Sequence, residues 1–194
     1  GLAGDGFTTG SDNVVLGYAA LSNANAGNRS VAIGSSALNV QNAGSAGQNM
    51  YNIGIGYGAG GSVTTGVKNT IIGGLAGDAL TIGNNNVAMG YGALSTSVDG
   101  DHNTAIGFAA LLAYEDGDGN GHNTAVGANS QLNATTGEYN TSLGSLSNGV
   151  GILVGDGNVS LGYAAGRAST SAVSNVFVGG WAGTANTTGG GSIA

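Results

Sequence analysis

From one end of this chain to the other, a short apolar run alternates with small and polar residues and closes on a glycine. The stretch His102-Asn-Thr-Ala-Ile-Gly-Phe-Ala-Ala-Leu111 is a clear copy, and close variants begin at Asn13, Asn86 and Asn158. The closing glycines are Gly17, Gly34, Gly56, Gly73, Gly90, Gly107, Gly127, Gly144, Gly162 and Gly179, separated by 17, 22, 17, 17, 17, 20, 17, 18 and 17 residues. A fixed period of this kind is the signature of stacked repeats. With the glycine as position zero, −1 is a large apolar residue and −3 is β-branched in every repeat, while −2 is mostly small. Position −4 is asparagine in nine of ten repeats, with Ser30 the exception, and −7 is glycine in seven. Alternation places −3 and −1 on one face of a strand, and −4, −2 and 0 on the other.

The aliphatic face is expected to line the inside of a coil. The Asn-Ala-Gly face is then expected to lie outside, where small residues admit a neighbouring backbone, with Ala88, Ala105 and Ala125 at a trimer interface. An intrachain void is the alternative setting for these alanines. Asparagines in register on successive coils are expected to form an amide ladder. A glycine at −7 marks a corner, and the weaker apolar segment at +3 and +4 reads as a second short strand. Helical repeats do not fit, because recurrent glycines leave no room within 17 residues for a helix of useful length. The reading is all-β: a parallel β-roll or β-solenoid of 17-residue coils, with residues 1–194 forming one array. Both ends cut through a repeat, which is expected of a segment of a longer fibre.

Composition narrows this further. Glycine supplies 41 of 194 residues and proline and cysteine none, so neither collagen nor a disulfide scaffold applies. Disorder gives no reason for aliphatic residues to keep phase. The net charge is −7 and the only lysine or arginine residues are Arg29, Lys68 and Arg167, which leaves no basic stripe for nucleic acid. No apolar run reaches the length of a membrane helix.

The run Ser30-Val-Ala-Ile-Gly34 and its relatives resemble the head repeats of trimeric autotransporter adhesins, the YadA-like family, and related arrays in phage and other viral tail fibres. The resemblance covers nearly the whole chain, although a period of 17 is longer than the usual adhesin head repeat. It implies a left-handed β-roll, a homotrimer around one axis, and an extracellular place on a virion or cell surface with a glycan or protein receptor. The expected function is that of a structural, adhesive fibre segment without enzymatic activity. A bacterial adhesin head and a polysaccharide-degrading tailspike are the alternatives.

Little else carries chemistry. Asp116, Asp118 and Asn120, followed by Gly121, match the first half of a calcium loop, but the twelfth position falls on Gly127 instead of glutamate. A solvated acidic turn is the plainer reading, and no other cofactor is expected. His102 and His122 both occupy −5, where they form a possible metal pair or simply face solvent. Aromatic residues recur at +1 as Tyr18, Tyr57, Tyr91, Phe108 and Tyr163, with Trp181 one place later in its repeat. They are candidates for stacking on sugar rings, or spacers that stack on each other. Thr-Thr corners at Thr8, Thr64, Thr135 and Thr187 hint at an ice-binding face, but the series is interrupted. No catalytic set can be assembled.

Overall fold

Ten three-residue strands, one per repeat, make a single parallel sheet in the computed structural model, which describes residues 3–6, 8–24, 27–115 and 120–194. They are β1 (Val14–Leu16), β2 (Val31–Ile33), β3 (Ile53–Ile55), β4 (Thr70–Ile72), β5 (Val87–Met89), β6 (Thr104–Ile106), β7 (Thr124–Val126), β8 (Thr141–Leu143), β9 (Val159–Leu161) and β10 (Val176–Val178). Each strand pairs with its neighbours in the sequence, so the chain is a β-solenoid of about nine turns, with no helix among the described residues. Register follows the glycine phase. Val31 pairs with Ile53, Thr104 with Thr124 and Thr141 with Val159, so the three longer repeats loop out their extra residues without displacing the ladder. At every anchor glycine but the last, Gly179, the chain passes close to the next rung. A Cβ on Gly17 would lie 2.6 Å from the Gly34 carbonyl, and φ there is +129°.

The two faces of the strands are the reverse of the sequence expectation. Ala88, Ala105 and Ala125 are 0% exposed and belong to the coil's own core. Val14, Leu16, Met89, Leu143, Val159, Leu161 and Val178 are exposed instead. The alanines therefore offer no surface to a neighbour, and their assignment to a trimer interface is corrected to the interior of one chain. The cause is lack of room, because the opposite wall also fills the narrow interior. Ala20, Leu21, Ala37, Leu38, Ala93, Leu94, Ala110 and Leu111 are all 0% exposed.

That opposite wall is not a second strand. Positions +3 and +4 both face inward, which a strand of period two cannot achieve. The chain does it with left-handed residues, as at Ala19 (φ 54°) and Leu21 (φ 45°), that reverse its direction every second residue. Backbone bonds still join successive rungs there, as from Leu38 N–H to the Ala59 carbonyl at 3.0 Å and from Leu94 N–H to Ala110 at 3.0 Å.

Volume in the core is balanced along the coil. Where −2 is alanine, +4 is a large residue: leucine beside Ala88 and Ala105 (Leu94, Leu111) and Gln131 beside Ala125. Where −2 is Ile71, the leucines give way to Gly60 and Gly77, and a Cβ on Gly60 would sit 2.8 Å from Ile71 Cδ1. Gly54 yields to Leu38, whose Cγ lies 2.6 Å from the place of its missing Cβ. Phe177 likewise fills the space left by Gly183. Interiors this close-packed leave no slack for an unmatched methyl.

Beside this apolar column runs the amide ladder, fully buried for most of its length. Asn69 Oδ1 accepts from the backbone N–H of Asn86 at 2.9 Å and from its Nδ2 at 3.2 Å, while Asn86 Nδ2 also donates to the Gly100 carbonyl at 2.7 Å. The same pattern recurs at Asn52, Asn69, Asn158 and Asn175. At Ser30, where the amide is missing, Gln41 reaches in and bonds both Ser30 Oγ (3.0 Å) and Asn52 Nδ2 (2.8 Å). Each side chain thereby supplies partners that buried backbone groups need.

Candidate functional site

With the interior filled, and no pocket present among the described residues, function falls to the outer surface of the sheet and its two edges. The sheet carries two columns, −3 and −1, both pointing away from the core; −1 is apolar on every rung, and −3 is valine or isoleucine except at Thr70, Thr104, Thr124 and Thr141. β-Branched and large aliphatic residues suit a strand whichever face they occupy, which is why the periodicity alone did not reveal their direction. Leu16 is 65% exposed and Leu143 47%.

One edge bears the aromatic column at +1. Tyr18, Tyr57, Tyr91, Phe108 and Tyr163 are exposed, as is Trp181. Tyr91 and Phe108 stack with centroids 6.0 Å apart and planes 10° apart. Tyr163 meets Trp181 edge-on at 5.2 Å, with the Arg167 guanidinium 5.7 Å from the Trp181 ring. The fold thus brings the sequence-predicted aromatics to one edge, partly stacked on each other.

The other edge bears the column at −5: Asp12, Arg29, Tyr51, Lys68, Asn85, His102, His122, Tyr139, Gly157 and Ser174. Arg29 lies 3.7 Å from the Asp12 carboxylate and donates from Nη1 to the Tyr51 hydroxyl at 2.9 Å. The Tyr51 contact, with Asp12 behind it, raises the guanidinium's pKa above its ordinary value. His102 and His122 stack at 4.7 Å with planes 2° apart, and His122 stacks on Tyr139 at 5.1 Å. The two histidines are therefore brought together, but among the described residues no third His, Cys, Asp or Glu joins them to make a metal-sized cluster. The extension of this stack to Tyr139 was legible in the shared −5 phase.

Of the calcium-loop candidates, Asp116 and Asp118 lie outside the described residues. Asn120 is exposed, and its carbonyl accepts from the buried Tyr114 hydroxyl at 3.0 Å. The corner threonines bond within the coil: Thr64 Oγ1 donates to the Thr81 carbonyl at 3.1 Å and Thr170 Oγ1 to Thr187 at 2.9 Å. No helix among the described residues is long and apolar enough to cross a membrane. Compared with known proteins, the chain matches no family model, no curated protein sequence and no solved structure.

Proposed function

We propose that this chain is a structural segment of an extracellular fibre on a virion tail or cell surface, serving attachment without enzymatic activity. The observation that carries the reading is the outward-facing aliphatic column of the parallel sheet. Ten rungs at strand spacing extend the apolar −1 column, flanked by the β-branched −3 column, along roughly 43 Å. A continuous strip of that length is more than a soluble monomer ordinarily leaves in water. Its best cover is more of itself. Identical columns of equal pitch, carried by three left-handed coils around one axis, match rung for rung, as a closed symmetric oligomer requires. This reading moves the interface of the homotrimer from Ala88, Ala105 and Ala125 to residues such as Ile72 and Ile106.

Sedimentation equilibrium on the chain tests it. The expected result is a trimer, converted to a folded monomer by the pair Ile72→Lys and Ile106→Lys. A wild-type chain that sediments as a stable, folded monomer overturns the assembly. Shortened chains after incubation with host-surface polysaccharide would overturn the non-enzymatic part.

A further inference from the structure

Along the −5 column, every rung from Asp12 to Tyr139 carries a side chain, and the next rung does not. The eight residues Asp12 to Tyr139 all take left-handed backbone with φ between 53° and 61°, Gly157 follows at 67°, and Ser174 resumes at 54°. Glycine is the residue usually demanded by such a φ, but eight others adopt it here, so the backbone does not explain Gly157. Sterics do not explain it either. A Cβ at Gly157 would meet only the Ser174 Oγ, at 3.7 Å. The result is a gap one rung wide in an exposed column, a shallow surface notch and not an enclosed pocket.

Its floor is an aromatic face. Tyr139 is 56% exposed, and its ring is stacked on His122 on one side. The opposite side looks along the column to the vacant rung. A ring seated there would lie about 4.8 Å from Tyr139, close to the 5.1 Å separation that His122 keeps on the other face. The rim is polar. Asp156 Oδ1 accepts from the Glu138 N–H at 2.9 Å, which fixes its carboxylate against the rung that carries Tyr139. Backbone bonds from Gly157 to Glu138 and from Ser174 to Asp156, both 3.0 Å, hold the three rungs in line.

We propose that this notch is a carbohydrate subsite that takes one pyranose ring. The apolar C–H face of the sugar stacks on Tyr139, its hydroxyls donate to the Asp156 carboxylate, and Ser174 Oγ closes the far side. An aromatic ring paired with a carboxylate and a hydroxyl suits a ligand with one apolar face and a polar rim. Asp156 and Glu138 set the charge preference: neutral or amino pyranosides bind, and uronates are repelled. The site deepens the attachment reading, on which its biological use rests, but its chemistry is independent of assembly.

The test is ligand-observed saturation-transfer NMR on the full chain. The probes are the methyl glycosides of glucose, galactose, glucosamine and glucuronic acid, with the Gly157 amide shift followed in parallel. A saturable response to a neutral or amino glycoside, with millimolar affinity, is expected. It should weaken at least tenfold in Tyr139→Ala and in Gly157→Asn, the second filling the notch with the residue that Asn85 already places in this column. Unchanged circular dichroism and melting temperature show that both variants fold. Sedimentation of the same samples separates failure of this site from failure of the fibre assembly. The subsite is overturned by no saturable response to any probe, by a response to the glucuronide alone, or by binding that survives Gly157→Asn.

Discussion

The inner and outer faces of the same ten strands follow different rules. Inside, each residue answers a particular partner: Gly54 answers Leu38, Gly60 answers Ile71, and Gly183 answers Phe177. Outside, positions −3 and −1 hold valine, isoleucine, leucine, methionine or threonine with no such bookkeeping. An irregular inner column that nevertheless leaves no slack is a jigsaw solved by one chain. An outer face whose −1 column is apolar on every rung, and uncompensated, is tuned to a surface that repeats as it does. Substitutions inside should therefore act on folding, and substitutions outside on association.

The largest effect is expected in the buried amide ladder. Asn86→Ala removes the acceptor of the Asn103 N–H (2.8 Å) and the donor to the Gly100 carbonyl (2.7 Å). Two buried backbone groups lose their partners, at about 1–3 kcal/mol each, so a total loss of about 2–6 kcal/mol is expected in a urea titration. A change below about 0.5 kcal/mol would mean that water replaces the amide and that the ladder is not a sealed spine.

A smaller but sharper case separates the jigsaw from mere apolarity. Most repeats carry alanine or a larger residue at −2, so Gly54→Ala would pass for a stabilising change. The Cβ it adds meets Leu38 Cγ at 2.6 Å and the Ala59 carbonyl at 3.1 Å. The expected outcome is destabilisation by about 1–3 kcal/mol, with part of it recovered in the double variant Gly54→Ala, Leu38→Ala. Strict additivity of the two changes in a thermal melt would refute the coupling.

These cases also mark what the sequence made legible. The ten anchor glycines predicted all ten strands and every step of their register, because a parallel ladder has to repeat the chain's own period. The direction of the two faces was not legible from alternation, which separates two sets of residues but does not name the inner one. The deciding signal lay in the reciprocal sizes of −2 and +4, such as Ala88 with Leu94 and Ile71 with Gly77. Left-handed Leu21, Leu38 and Leu94 left no trace, since leucine is not a residue from which φ near 50° is expected. At the edges, the aromatic column was read from phase alone. The notch at Gly157 required the structure, because a glycine among glycines carries no mark of an absent side chain.

The mildest test sits between the two faces, at Asp78. It follows left-handed Gly77 (φ 49°) and is half-buried, with its Oδ1 enclosed and lacking a hydrogen-bond partner among the described residues. Burial raises its pKa above the ordinary carboxylate value, opposed in part by the N–H groups of Asp78 and Ala79. A carboxyl group whose folded pKa is raised binds its proton more tightly in the native state than in the unfolded one. Its contribution to stability is therefore fully present below the ordinary carboxylate pKa and is lost as pH rises through the folded value. Asp78→Asn removes the titration and keeps the shape, so it should match the wild type in acid and melt slightly higher at neutral pH. Solvent screening of a partly exposed group limits the difference to about 0.5 kcal/mol or less. Melting temperatures of both chains from acid to neutral pH check the sign. A gap that narrows as pH rises would show that Asp78 is stabilised by its charge, and would place it with the solvated outer surface instead of the sealed inner one.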